Sequence, residues 1–255
     1  MRQILIIAMN TFREIIRDRI LYGIVVFALL LIGVSVVLGE LTFVEHARIS
    51  ANFGFTGIQI ASCVLAVFAG STLVAREIDK QTVLTLLAKP VSRTQFLLGK
   101  YLGLSLVLIS VMCGLGLVLA GLVAFLELKV GATFVIALFG ILLEALILIA
   151  LALFFGTFSR PVMTIIFSAS LFLIGHWVDS LDYFIKKSNS TAFKSAGTFV
   201  AKTMPNFEKF NWRSAPIYDL QVPASEVLAS TGYAIGWILV LMTVTSIIFR
   251  RRDFV

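Results

Sequence analysis

Apolar positions along the chain collect into long uncharged blocks separated by short charged stretches. Blocks of span length are Ile20–Gly39, Phe53–Ala75, Tyr101–Leu126, Pro161–Val178 and Val227–Phe249, with a sixth at Val130–Phe158 interrupted only by Glu144. A helix rises about 1.5 Å per residue, so about 20 mostly apolar residues cross a roughly 30 Å hydrocarbon layer. Each block therefore predicts a spanning helix, with the spans set at 20–39, 53–75, 101–126, 130–156, 161–178 and 227–249. Gly156 suits a helix C-terminus and Pro161 a first turn, so the fourth and fifth spans are expected to form a tight antiparallel hairpin. The expected fold is an all-α integral membrane protein, a single transmembrane domain over 1–255 with six spans.

Three segments do not fit simple spans. In residues 2–19, Leu5, Ala8, Met9, Phe12, Ile15 and Ile16 share one helical face, and Asn10, Arg13, Glu14 and Arg17 take the other. This predicts an interfacial helix feeding the first span; the plainer alternative is a solvated extension of that span. The apolar stretch Ile4–Met9 is too short, and too soon followed by charge, for a cleavable signal peptide. In segment 76–100, Ile78, Thr82, Val83, Leu86 and Leu87 recur at helical spacing, Pro90 ends that helix, and Ser92-x-x-Gln95 reads as a capping box opening the next. A short helix presented between spans two and three is expected, against the alternative of a solvated loop. Segment 179–226 holds a helical pattern at Phe193, Ala196, Phe199, Val200 and Met204, then an aromatic run to Trp212 suited to packing or to the headgroup layer. Small residues at Ser62/Ala66/Gly70, Gly99/Gly103 and Gly232/Gly236 mark expected span contacts.

Composition sharpens this picture. Of 255 residues, 59% are hydrophobic and 14% charged, whereas a soluble domain carries about 25% charge. The net charge of +7 would raise nucleic acid as a partner, but its placement sets that aside. With the N-terminus inside, 13 basic residues face five acidic ones on the cytoplasmic side, and the two short outer loops hold only Arg48 and Lys129. Excess Lys and Arg marks the cytoplasmic face, so both termini are expected there, most naturally in a bacterial inner membrane, with lipid as the surrounding partner. Cys63 and Cys113 both fall in apolar runs without metal-ligand spacing and read as inert, buried packing residues.

Glu144 is the one acid inside a span, where a charge costs about 2.5–3.5 kcal/mol on insertion scales. It should face the bundle interior beside Gly140, either as a proton, cation or substrate contact or as a protonated carboxyl bonded to a neighbouring helix. His176, near the expected outer end of its span, does not look like its partner. No catalytic constellation appears: neither His46 nor His176 sits in a nucleophile or metal-ligand motif. No phosphate-binding loop appears either, since Gly99-Lys100 is followed by Tyr101 and Thr94 stands where its first glycine belongs.

The phrase Arg76-Glu-Ile-Asp-Lys-Gln-Thr82, followed by Leu86-Leu-Ala-Lys-Pro-Val-Ser-Arg93, resembles the loop of ABC-2-type exporter permeases, an E-x-x-x-x-T stretch before a P-x-S-R turn. Within that family the chain is most similar to the NosY-like branch, and Pro205-Asn-Phe-Glu-Lys-Phe210 adds to the likeness. The resemblance implies a transport subunit that moves an unidentified substrate, is not itself an enzyme and binds no cofactor or metal. ATP and Mg would be held by a separate P-loop ATPase, and two permease chains, identical or related, would pair. Glu77, Lys80, Gln81, Thr82 and Leu86 would then form the coupling helix that docks the ATPase. Two other readings stand beside it: a scaffold whose outer segment 179–226 holds a periplasmic partner, and an intramembrane lipid-acting enzyme.

Overall fold

The structure, a computed structural model, describes residues 2–40, 45–79 and 92–251. Its helices are α1 (Arg2–Ile16), α2 (Arg19–Glu40), α3 (His46–Asp79), α4 (Arg93–Phe125), α5 (Ala132–Gly156), α6 (Pro161–Lys187), α7 (Thr191–Thr203) and α8 (Ala224–Arg251), with a 3-10 turn at Glu208–Phe210. No strand occurs among the described residues. Six of these helices, α2 to α6 and α8, are long and apolar enough to cross a membrane, as the sequence predicts. Several extend past their apolar blocks. α3 continues without a break to Asp79, and α6 runs nine residues beyond Val178 to Lys187.

The bundle is organised around α3 and α5, each with 67% of its apolar window buried, against 22% for α6. α5 is apolar on nearly every side because it is buried on nearly every side: Ile147, Leu148, Ile149, Ala150 and Ala152 are all at most 1% exposed. Gly70 of α3 lies so close to α5 that an added Cβ would come within 2.6 Å of the Ala152 Cβ. The small-residue stripe of α3 thus joins two spans, the close approach such stripes permit.

α4 opens with the expected capping box: the Gln95 amide donates to Ser92 Oγ at 3.2 Å and the Ser92 amide to Gln95 Oε1 at 3.1 Å. Its Gly99/Gly103 stripe receives α1 rather than another span. A Cβ on Gly103 would fall 2.7 Å from the Ala8 carbonyl, and one on Gly99 2.7 Å from the Ile7 Cβ. The expected single apolar face of α1 is accordingly split in two. Ile7, Ala8, Thr11 and Ile15 are buried against the bundle, whereas Leu5, Ile6 and Met9 are exposed. Lys100 of α4 closes this contact with an ion pair to Glu14 at 3.6 Å. Gly232 and Gly236 differ from the other stripes. Among the described residues, no other part of the chain lies within 4 Å of a Cβ built there, so their expected span contact is not seen among them.

α4 starts where α8 ends: Arg93 donates to the Phe249 carbonyl at 3.0 Å, and Thr94 and Ser246 share a hydrogen bond at 2.9 Å. The turn from Gly156 to Pro161 closes the α5–α6 hairpin with proline in the first turn of α6, as expected. α7 packs along the extended end of α6, its Gly197 against Ile185.

Candidate functional site

Of the residues expected to dock a partner, Glu77 lies in the last turn of α3, while Lys80, Gln81, Thr82 and Leu86 lie outside the described residues. Glu144 is placed, and it is not alone. It is 2% exposed, with protein rather than lipid around it. Gln59 of α3 donates to its Oε2 at 2.8 Å, and the Cys63 thiol, one turn along the same helix, reaches Oε1 at 3.8 Å. His176 of α6 brings Nε2 to 3.5 Å from Oε1 and 3.3 Å from the Gln59 amide nitrogen. His176 Nδ1 meets the Phe172 carbonyl at 3.1 Å. Four polar side chains from three spans thus meet inside the bundle.

This corrects two sequence expectations. His176 is the partner of Glu144, because α6 does not end near Val178. Glu144 lies 12 residues before Gly156 and His176 15 residues after Pro161, about 18 and 22 Å from the hairpin turn. Counting from that turn, rather than from the outer ends of the apolar blocks, brings the two level. The cysteines also part company: Cys63 is buried in the cluster, whereas Cys113 is exposed on the outside of the bundle. Among the described residues no group of three or more His, Cys, Asp or Glu side chains is arranged to hold a metal ion.

Above the cluster, residues 205–217 form a plug that enters the bundle between α3, α5, α6 and α8. Phe207, Phe210 and Trp212 are 0%, 1% and 5% exposed, so these aromatics pack inside the protein. Two glycines make the room. A Cβ on Gly140 of α5 would strike the Phe210 carbonyl, and one on Gly175 of α6 would come within 2.6 Å of the Pro205 carbonyl. The Phe207 amide donates to the Gly175 carbonyl at 3.0 Å. Polar bonds then tie the plug to α3, α6 and α8. Arg213 donates to Thr56 of α3 at 3.2 Å, and Asn206 donates to Asp179 of α6 at 2.6 Å. From α8, Tyr233 Oη accepts the Asn206 amide at 2.9 Å, and Glu226 accepts the Trp212 indole N–H at 3.0 Å. The Lys209 ammonium sits 4.4 Å from the Tyr233 ring centroid. Plug and cluster touch through His176, whose ring lies 4.6 Å from Phe172 and 5.8 Å from Phe207, centroid to centroid.

Gln59, Arg213 and the plug were not legible as site elements. The one available signal for the plug was that Gly140 stands four residues, one helical turn, before Glu144 on the same face.

Comparison with curated proteins gives no match. A family model described as ABC-2 family transporter protein matches residues 5–254. The chain therefore belongs to the ABC-2 transporter family, and is a multi-pass membrane permease of the kind served by an ABC ATPase.

Proposed function

We propose that this member of the family is the membrane-spanning subunit of an exporter. It works as a pair of permease chains with a separate P-loop ATPase docked at 77–86. The observation that carries this reading is the family match over nearly the whole chain, joined to a sequence without a phosphate-binding loop of its own. The excess of Lys and Arg at one end of the bundle supports cytoplasmic termini in a bacterial inner membrane. The exposed apolar face of α1 suits the inner interface. The motif at 77–93 and the stretch 205–210 favour the NosY-like branch.

The continuity of α3 supplies a route for coupling. It is one 34-residue helix, and Glu77 lies 18 positions, about 27 Å, from Gln59. A displacement imposed on the helix end at 77–79 moves Gln59 and Thr56 with it, and these hold Glu144 and Arg213. ATP binding can shift the permease only through contacts that differ between its two states. The ATPase must therefore grip segment 77–86 differently with ATP bound, and the plug end of α3 responds.

The test uses Cys63 as a reporter in a Cys113→Ser background, with the ATPase reconstituted beside the permease. Maleimide labelling of Cys63 should change on ATP addition, and Glu77→Lys or Thr82→Pro should abolish that change while hydrolysis continues. Normally expressed variants that retain the full ATP response would show the coupling assignment to be wrong.

A further inference from the structure

The buried cluster poses a question of hydrogen count. His176 Nδ1 faces the Phe172 carbonyl at 3.1 Å, and a carbonyl only accepts, so Nδ1 carries the hydrogen. In a neutral ring Nε2 is then a bare acceptor. The Gln59 amide nitrogen has two hydrogens, and both are used: one toward Glu144 Oε2 at 2.8 Å, the other toward His176 Nε2 at 3.3 Å. What remains is Glu144 Oε1 facing Nε2 at 3.5 Å. Without a further hydrogen these are two acceptors opposed inside the bundle, one of them a carboxylate that is 2% exposed. The carboxylate then has the Gln59 N–H and the long Cys63 thiol contact as its donors, and a buried charge compensated so thinly is costly. One proton between Oε1 and Nε2 removes that opposition. As Glu–OH it donates to the single Nε2 lone pair, which the Gln59 N–H at 3.3 Å then shares. As imidazolium it turns Nε2 into a donor that the Gln59 N–H must turn away from.

We infer that Glu144 and His176 together form a binding site for one exchangeable proton, set between α3, α5 and α6 beneath the plug.

The surroundings fit that role. The other charged groups acting on the pair come from the plug: Arg213, held by Thr56 and Asn211, and Glu208, which accepts from Asn211. α3 offers Gln59 and the Cys63 thiol; α6 adds Asp179 one turn beyond His176, bonded to Asn206. The apolar runs of α2, α4 and α8 carry no charged side chain. The His176 side chain is 19% exposed against 2% for Glu144, so the ring is the member of the pair nearer the surface of the bundle. Loss of the proton leaves two opposed acceptors against a ring that packs on Phe207, so occupancy of the site bears on how the plug is seated. This inference does not depend on the transport reading.

The chain has two histidines, which makes the unmodified protein its own test. The full-length chain, carrying an affinity tag without histidine, is placed in nanodiscs with its imidazole nitrogens labelled for NMR. His46→Gln assigns the second ring, which pairs with Glu40. The expected result is a His176 ring protonated at Nδ1, whose Nε2 signal titrates in the same step as a carboxylic-acid C=O infrared band. Glu144→Gln should remove that band. Should that variant fail to fold, Cys63→Ser, which keeps a donor toward Oε1, should shift the same band and leave the others in place. An unprotonated Nδ1, two separate titration steps, or a band indifferent to both substitutions would overturn the inference.

Discussion

The helix α1 and the plug at 205–217 are both chain outside the spans, seated on pairs of glycines at opposite ends of the bundle. α1 lies on Gly99 and Gly103 of one helix, and the plug lies on Gly140 and Gly175 of two. They differ in how the backbone is satisfied. α1 closes its hydrogen bonds internally and contributes Ile7, Ala8, Thr11 and Ile15 to the contact. The plug has one 3-10 turn and looser turns after it, so part of its backbone borrows partners from its neighbours. The Phe207 and Asn206 amides donate to the Gly175 carbonyl and to Tyr233 Oη, and the Lys209 carbonyl accepts from Ser230. Buried backbone groups must find partners somewhere. A helix can therefore dock mainly by shape, as α1 does with an ion pair added, whereas an irregular segment also needs polar groups from the bundle for its backbone. Tyr233 and Ser230 of α8 meet that requirement, while Thr56 of α3, Asp179 of α6 and Glu226 of α8 hold the plug's side chains.

The largest effect should come from removing what fills the plug. Phe210 is 1% exposed, and Phe210→Ala should cost about 3–5 kcal/mol, read as a lowered unfolding midpoint in detergent. The segment lies outside the spans, so its aromatic surface meets water or headgroups when displaced, and the full transfer cost applies. A midpoint within error of wild type would mean that the plug is not seated as described.

A smaller and more selective pair of changes sharpens the comparison. Gly140→Leu and Gly103→Leu should each cost about 1–3 kcal/mol by overpacking, but with different readouts. Gly140→Leu lifts the plug from the cluster and should speed maleimide labelling of Cys63 in a Cys113→Ser background. Gly103→Leu displaces α1 and should leave that rate unchanged. Equal acceleration by both would mean that the two ends are not separately docked. The smallest effect is expected at Gly232→Leu, where no other described residue stands within 4 Å of an added Cβ; the stability of the isolated chain should move by no more than about 0.5 kcal/mol. A larger loss in the isolated chain would show a contact within the chain that the structure lacks.

These two docked segments also show what the sequence revealed. Six spans, the hairpin at Gly156–Pro161 and the capping box at Ser92 follow from periodicity and local chemistry, and all three are present. α1 was legible as an amphipathic helix. Its division into a bundle face and an exposed face was not, because Ile7 and Met9 are equally apolar and only the glycines of α4 tell them apart. The plug has no period to read; packing was the favoured role for its aromatics, with the headgroup layer as the alternative, but nothing in the sequence said against which helices they pack. The cluster was half legible: Glu144 announced itself as an acid in an apolar run, but Gln59 and Cys63 lie 85 and 81 residues away in sequence. His176 was misplaced because the end of an apolar block is not the end of a helix. The polar residues Asp179, Ser180 and Asp182 end the block, yet they continue α6.

The central claim is that this chain is the permease half of an ATP-driven exporter. It is tested most directly by gentle detergent extraction of the tagged chain from its native membranes, with the co-purifying proteins identified. The account predicts a P-loop ATPase at about one copy per permease chain, as expected for a pair of permeases on a pair of ATPases. It also predicts that substitutions across 77–82 release that ATPase while the permease itself is recovered intact. Reproducible recovery of an intact permease with no ATPase, under extraction that preserves other membrane complexes, would contradict it.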